Sequence, residues 1–285
     1  MTTKINFNGE IHEQLSISVF DHGFLFGDSV YEVVCTLDKK PCFLDKHLDR
    51  LFASAKAISL NIPQHKEWFH SQLQATLHEA DNNESYIRII VTRGEGEINI
   101  DPTSCHSPNI IIIVREIDEI PETSYEKGIH VALVSIKRNS QDALNPNVKT
   151  GNYLNNVLAK VEATKLGAQD AIMVNARGHL TEGTTSNLFF VREGRIFTPS
   201  LDCGLLSGIT REMVIRLAKE NGFPIEEGKW QGEELNEADE IFLTGTIKNV
   251  MPVAYLDGRP VGSGKPGPVT LKLMRLYGVL LKSKL

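Results

Sequence analysis

Long apolar runs, paired cysteines and an excess of basic charge are all missing from this 285-residue chain. The four cysteines, Cys35, Cys42, Cys105 and Cys203, form no CxxC pair and no metal-ligand spacing. That pattern argues against a disulfide framework or a zinc site and fits reduced thiols in a cytoplasm; no metal is expected. No stretch approaches the ~20 apolar residues of a membrane span, and the start, Met1-Thr-Thr-Lys4, has no apolar signal core. A soluble, cytoplasmic protein with no membrane partner is expected. A net charge of −6 gives no general attraction to nucleic acid, so an anionic substrate must find its positive charge locally. Repeats and low-complexity tracts are absent too.

The composition, 41% apolar and 23% charged, is that of an ordinary globular enzyme, and the length suffices for two cores. Leu44–Leu60 carries Leu48, Leu51, Phe52 and Ala55 at helical spacing, and 63–80 carries Trp68, Phe69, Leu73 and Leu77 likewise. Ser85–Val91 is β-rich, and Asn109–Val114 is a continuous apolar run suited to a buried strand. An acidic stretch, Glu116 to Gly128, is broken by Pro121 and reads as an interdomain linker. Beyond it, helices are expected over 152–166, 210–221 and 269–281, and strands over 171–174, 188–191, 195–198 and 241–243, with Glu193-Gly194 as a hairpin turn. The class is mixed α/β (α+β) in two domains: a smaller one over 1–118, a linker at 119–126 and a larger one over 127–285.

Four short segments carry candidate chemistry. Asn147-Val-Lys149-Thr-Gly-Asn-Tyr153 sets a lysine before a helix start; it is either a surface charge or a partly desolvated amine able to attack an aldehyde. Thr181-Glu182-Gly183 sets a carboxylate among small residues, either a polar turn or a partner for a cationic ring nitrogen. Gly208-Ile209-Thr210 opens a helix, as a plain cap or as a cradle for phosphate. Thr244-Gly245-Thr246 follows a buried strand as a small-residue loop.

Together these segments resemble the fold-type IV pyridoxal-phosphate (PLP) enzymes: the branched-chain aminotransferases, the D-amino-acid aminotransferases and the aminodeoxychorismate lyases. The likeness spans nearly the whole chain, from Asp21-His-Gly-Phe-Leu-Phe26-Gly-Asp-Ser-Val-Tyr31-Glu32 and His47-Leu-Asp-Arg50-Leu to Met251-Pro-Val and Gly267-Pro-Val-Thr270. The resemblance implies that Lys149 holds PLP through its amine and shuttles the substrate proton, that Glu182 faces the pyridine nitrogen, and that Tyr153 bonds the 3′-oxygen. It implies that Arg50, Ile209, Thr210 and Thr246 hold the phosphate. Among the subgroups, Ser85-Tyr86-Ile-Arg88 resembles the branched-chain Tyr-x-Arg strand, in which the arginine receives the side-chain carboxylate of glutamate. After Arg93-Gly94 the Arg-x-His motif of D-specific enzymes is missing. The turn Gly245-Thr246-Ile247 corresponds to the receiver of the substrate α-carboxylate, and Phe26 and Tyr31 to aromatic pocket walls. Cys35 stands where the family often has an arginine or lysine. The resemblance therefore implies transamination between a branched-chain or related aliphatic L-amino acid and 2-oxoglutarate, in a homodimer or larger assembly, with the site at the domain boundary. D-amino-acid transamination and the lyase reaction are the alternatives.

Overall fold

The computed structural model describes residues 3–283 and shows a mixed α/β chain in two compact units. One unit runs to Asp118 and also takes in Val148–Asn152; the other comprises Glu119–Asn147 and Tyr153–Ser283.

The first unit contains β1 (Lys4–Phe7), β2 (Glu10–His12), α1 (His22–Phe26), β3 (Ser29–Leu37), β4 (Lys40–Pro41), α2 (Leu44–Ala57), α3 (Lys66–Ala80), β5 (Ser85–Thr92) and β6 (Asn109–Glu116). Its sheet is antiparallel throughout, in the order β2-β1-β6-β5-β3-β4. Strand alternation gives the sheet two different faces. Val30, Val34, Ile87, Ile89, Val91, Ile110, Ile112 and Val114 join Leu48, Leu51 and Ala55 of α2 and Phe69 and Leu73 of α3 in one core. Tyr31, Tyr86 and Arg88 alternate with these core residues and so belong to the opposite face. Both helices follow the apolar stripes seen in the sequence.

The second unit contains α4 (Glu122–Lys127), β7 (Ile129–Leu133), α5 (Leu154–Lys165), β8 (Asp170–Val174), β9 (Leu180–Gly183), β10 (Asn187–Arg192), β11 (Arg195–Pro199), α6 (Ile209–Glu220), β12 (Ile225–Gly228), β13 (Glu240–Gly245), β14 (Asn249–Leu256), β15 (Arg259–Pro260) and α7 (Pro268–Ser283). Its strands run β12-β11-β10-β13-β14-β7-β8-β9, with β15 on β14. The pair Asn187–Glu182 joins β9 back to β10, so six strands close into a ring. The core inside this unit is built on Ile172, Leu188, Phe190, Trp230, Leu243 and Met251. Glu193 and Gly194, at φ 51° and 72°, make the β10–β11 turn; two positive φ values are what a tight two-residue hairpin needs.

Residues 119–126, expected as a linker, lie in the second unit and carry part of α4, with Ile120 and Tyr125 packed on its core. The helix expected from residue 152 begins at Leu154, because the preceding residues are tied elsewhere. Gly151 N–H donates to the Ser29 carbonyl at 2.8 Å, and Asn152 Nδ2 to the Gly27 carbonyl at 2.9 Å. Among the described residues no helix is long and apolar enough to cross a membrane, and no His, Cys, Asp or Glu cluster could hold a metal.

Candidate active-site residues

Lys149 sits on the short return segment Val148–Asn152, which adds itself to the edge of β3. Val30 and Thr150 form a β-bridge, and Tyr31 N–H donates to the Lys149 carbonyl at 3.0 Å. Lys149 N–H donates to Ser54 Oγ of α2 at 3.1 Å. With its backbone fixed on both sides, the lysine lays its ammonium over the Tyr31 ring, 4.4 Å from the centroid, and 3.4 Å from the Tyr31 hydroxyl. Arg88 stacks on the same ring at 4.1 Å, an attraction of the cation for the ring's negative face. Three residues singled out separately in the sequence are thus one cluster. Tyr86 is stacked by Arg115, at 4.9 Å. Phe26 ends α1 and meets His22 edge to face at 4.9 Å.

Arg50, expected at a phosphate, lies on the helix side of β3. Its Nε and Nη2 donate to the two Glu32 oxygens at 2.6 and 2.8 Å, and His47 Nδ1 meets the same carboxylate at 2.7 Å. Glu32 is fully buried. Burial pushes its carboxyl up, but the bonds and charge of Arg50 and of His47 outweigh that and hold it at about 2. The bidentate pair fixes the plane of the guanidinium.

In the second unit Glu182 is 5% exposed and surrounded by donors. Arg138 Nε donates to Oε1 at 2.8 Å; the Leu206 N–H and Asn187 Nδ2 reach Oε2 at 3.1 and 3.5 Å. Arg138 also donates to Asn155 Oδ1 of α5, at 2.9 Å. The Tyr153 hydroxyl donates to the Thr184 carbonyl at 3.3 Å. The start of α6, at Ile209 and Thr210, has Gly208 as N-cap and no side-chain cap bond. A Cβ at Gly208 would stand 1.9 Å from Asn187 Oδ1, so any larger residue here would have to displace the Asn187 side chain. The Thr210 hydroxyl lies 3.3 Å from that of Tyr277. Gly245, Thr246 and Ile247 form the half-buried tip of the β13–β14 hairpin.

Sequence reasoning did not assign roles to Glu32, Arg138, Asn187, Asp170 or Lys248. Glu32 follows Tyr31 on the core side of a strand, where an acid calls for a partner, so a signal existed. Arg138 had none, since its partner is 44 residues away.

The class IV amino-transferase family model matches 29–256. A putative branched-chain-amino-acid aminotransferase of Methanocaldococcus jannaschii is 40% identical over 276 residues, covering 96% of this chain and 95% of that protein. The D-alanine aminotransferase of Listeria monocytogenes (serotype 4b) is 33% identical over 267 residues, at 93% and 91% coverage. The crystal structure of the Escherichia coli branched-chain amino acid aminotransferase superposes with a TM-score of 0.94 at 31% identity, covering 99% of this chain and 95% of that one.

Proposed function

Because the chain belongs to the class IV aminotransferase family, we propose that it moves amino groups between an aliphatic, branched-chain type of L-amino acid and 2-oxoglutarate, with PLP held by Lys149. The observation that carries this reading is the Lys149–Tyr31–Arg88 cluster. An amine and a guanidinium on one ring suit a dicarboxylic substrate, whose α-carbon meets the lysine while its side-chain carboxylate meets the arginine. The ring itself offers an apolar wall to a leucine-like side chain.

The residues present fit the cofactor group by group. An ionised carboxylate has about four acceptor positions, and three protein donors at Glu182 leave room for a protonated ring nitrogen. The α6 start, whose glycine cap has no side chain, suits a phosphate by its N–H groups and dipole, and Thr246 and Arg50 would add to it. Tyr153 would bond the ring oxygen. PLP, when bound, supplies the electron sink that lets the substrate Cα–H bond break. Lys149, its amine set free once the substrate amine has taken its place on the cofactor, would take that proton at Nζ and give it back later in the reaction, and Glu182 would keep a positive charge on the ring nitrogen. The turn Gly245–Ile247 holds the α-carboxylate, and Phe26, Tyr31 and Tyr86 wall the side chain.

A homodimer or larger homo-oligomer is part of the proposal. Leu154, Val157, Leu158 and Val161 are exposed along α5 at helical spacing, an apolar stripe suited to a second copy. Sedimentation of the purified protein should give at least twice the chain mass.

The test of the reaction is a donor–acceptor panel on PLP-loaded protein. L-leucine, L-isoleucine or L-valine with 2-oxoglutarate should turn over. Use of D-alanine or D-glutamate with none of these would overturn the proposal in favour of the D-specific reaction. Release of pyruvate from aminodeoxychorismate would favour the lyase.

A further inference from the structure

We infer that the Asp170–Lys248 ion pair is a positioning device for the α-carboxylate receptor: it fixes the turn Gly245–Thr246–Ile247 in register with Tyr153. The inference rests on the transaminase reading above. Asp170 opens β8 and is 1% exposed. Its Oδ1 accepts from the Ala171 N–H at 2.8 Å and from the Thr184 hydroxyl at 2.5 Å; its Oδ2 accepts from the Ser186 hydroxyl at 3.4 Å and from the Lys248 ammonium. Lys248 Nζ also donates to Thr185 Oγ1 at 3.3 Å. One carboxylate and one ammonium therefore tie down all three residues of 184–186. The Thr184 carbonyl in turn accepts from the Tyr153 hydroxyl at 3.3 Å and from Asn156 Nδ2 at 2.8 Å.

Lys248 is the last of three residues between the paired Gly245 and Asn249 at the end of the β13–β14 ladder. The ladder stops at that pair, so the loop beyond it needs a further anchor to keep its N–H groups in one orientation. The Gly245 end lies against the same 184–186 turn: a Cβ there would stand 3.2 Å from the Thr185 carbonyl. The ion pair spans 78 residues and joins the loop that would receive the carboxylate to the turn that holds Tyr153. Because Asp170 neutralises it, the ammonium is not itself the carboxylate receptor; it sets the direction of the N–H groups that are. Misplacing such a receptor by about 1 Å is enough to cost ten- to a hundredfold.

The test uses PLP-loaded protein and 4-methylvalerate, an aliphatic carboxylate without an amine, with affinity read by calorimetry. Lys248→Met and Asp170→Asn should each weaken binding about tenfold, and Lys248→Arg should restore it to within about threefold. The KM for L-leucine should rise in step while kcat stays within about threefold. A direct electrostatic role predicts the opposite for Asp170→Asn, since an unneutralised ammonium would tighten carboxylate binding. Tighter binding in Asp170→Asn, or unchanged affinity in a folded Lys248→Met, would overturn the inference. Lys248→Met leaves the buried Asp170 carboxylate its other donors, the Ala171 N–H and the hydroxyls of Thr184 and Ser186, so the variant should lose stability yet fold, as thermal unfolding will report. A wild type that binds PLP but neither takes 4-methylvalerate nor turns over L-leucine would instead bring down the transaminase reading.

Discussion

Arg138 Nε donates to Glu182 Oε1 at 2.8 Å, with both side chains removed from water. The pair holds the carboxylate in one orientation, which is what a group facing a ring nitrogen requires. Glu182→Gln should keep the fold and the cofactor, because an amide oxygen still accepts from Arg138. A neutral amide cannot hold the ring nitrogen protonated, so kcat should fall on the order of 10²-fold or more. Steady-state rates beside the cofactor absorption will show it; near wild-type turnover would reduce Glu182 to a turn residue. Arg138→Met should lower kcat as well, by freeing the carboxylate's orientation, and should cost about 3 kcal/mol in chemical denaturation, since it strands a buried charge.

Glu32 gives the chain a pH signature. Its carboxyl titrates at about 2 when folded against 4.5 ordinarily, so the folded state binds this proton less readily than the unfolded one. The resulting stability is fully present above about pH 4.5 and is lost as pH falls towards 2, amounting to about 3 kcal/mol. Denaturant titrations across that window should show wild type losing more stability than Glu32→Gln. Parallel slopes would show that the Arg50–Glu32–His47 cluster does not set it.

Arg88→Ala should separate two classes of substrate. Glutamate and 2-oxoglutarate would lose a charge-assisted contact of about 2–3 kcal/mol, or thirty- to more than a hundredfold in kcat/KM. Leucine and its keto acid make no such contact and should change only a few-fold. Equal losses would assign Arg88 to the fold or to the α-carboxylate.

The helices and buried strands were legible because their signals are local. The α2 stripe, the Glu193-Gly194 turn and the run at 109–114 each lie within a short stretch of chain. The candidate site was legible only as motifs: Lys149 and Glu182 stand out through their neighbours in the chain. What sequence could not give is how those groups are held. Arg138 reaches Glu182 across 44 residues and Lys248 reaches Asp170 across 78, and a lone lysine or arginine in a loop reads as a solvated charge. The helix expected from residue 152 began late for a related reason: Gly151 and Asn152 bond to residues more than a hundred positions earlier.

The central claim is that Lys149 holds the cofactor through its amine, and borohydride reduction followed by peptide mapping tests it most directly. The PLP-loaded protein should be yellow, reduction should bleach the colour, and the phosphopyridoxyl label should appear on the peptide containing Lys149 alone. Lys149→Ala should keep some PLP non-covalently and lose transamination. A label on any other lysine, or full activity in Lys149→Ala, would contradict the account.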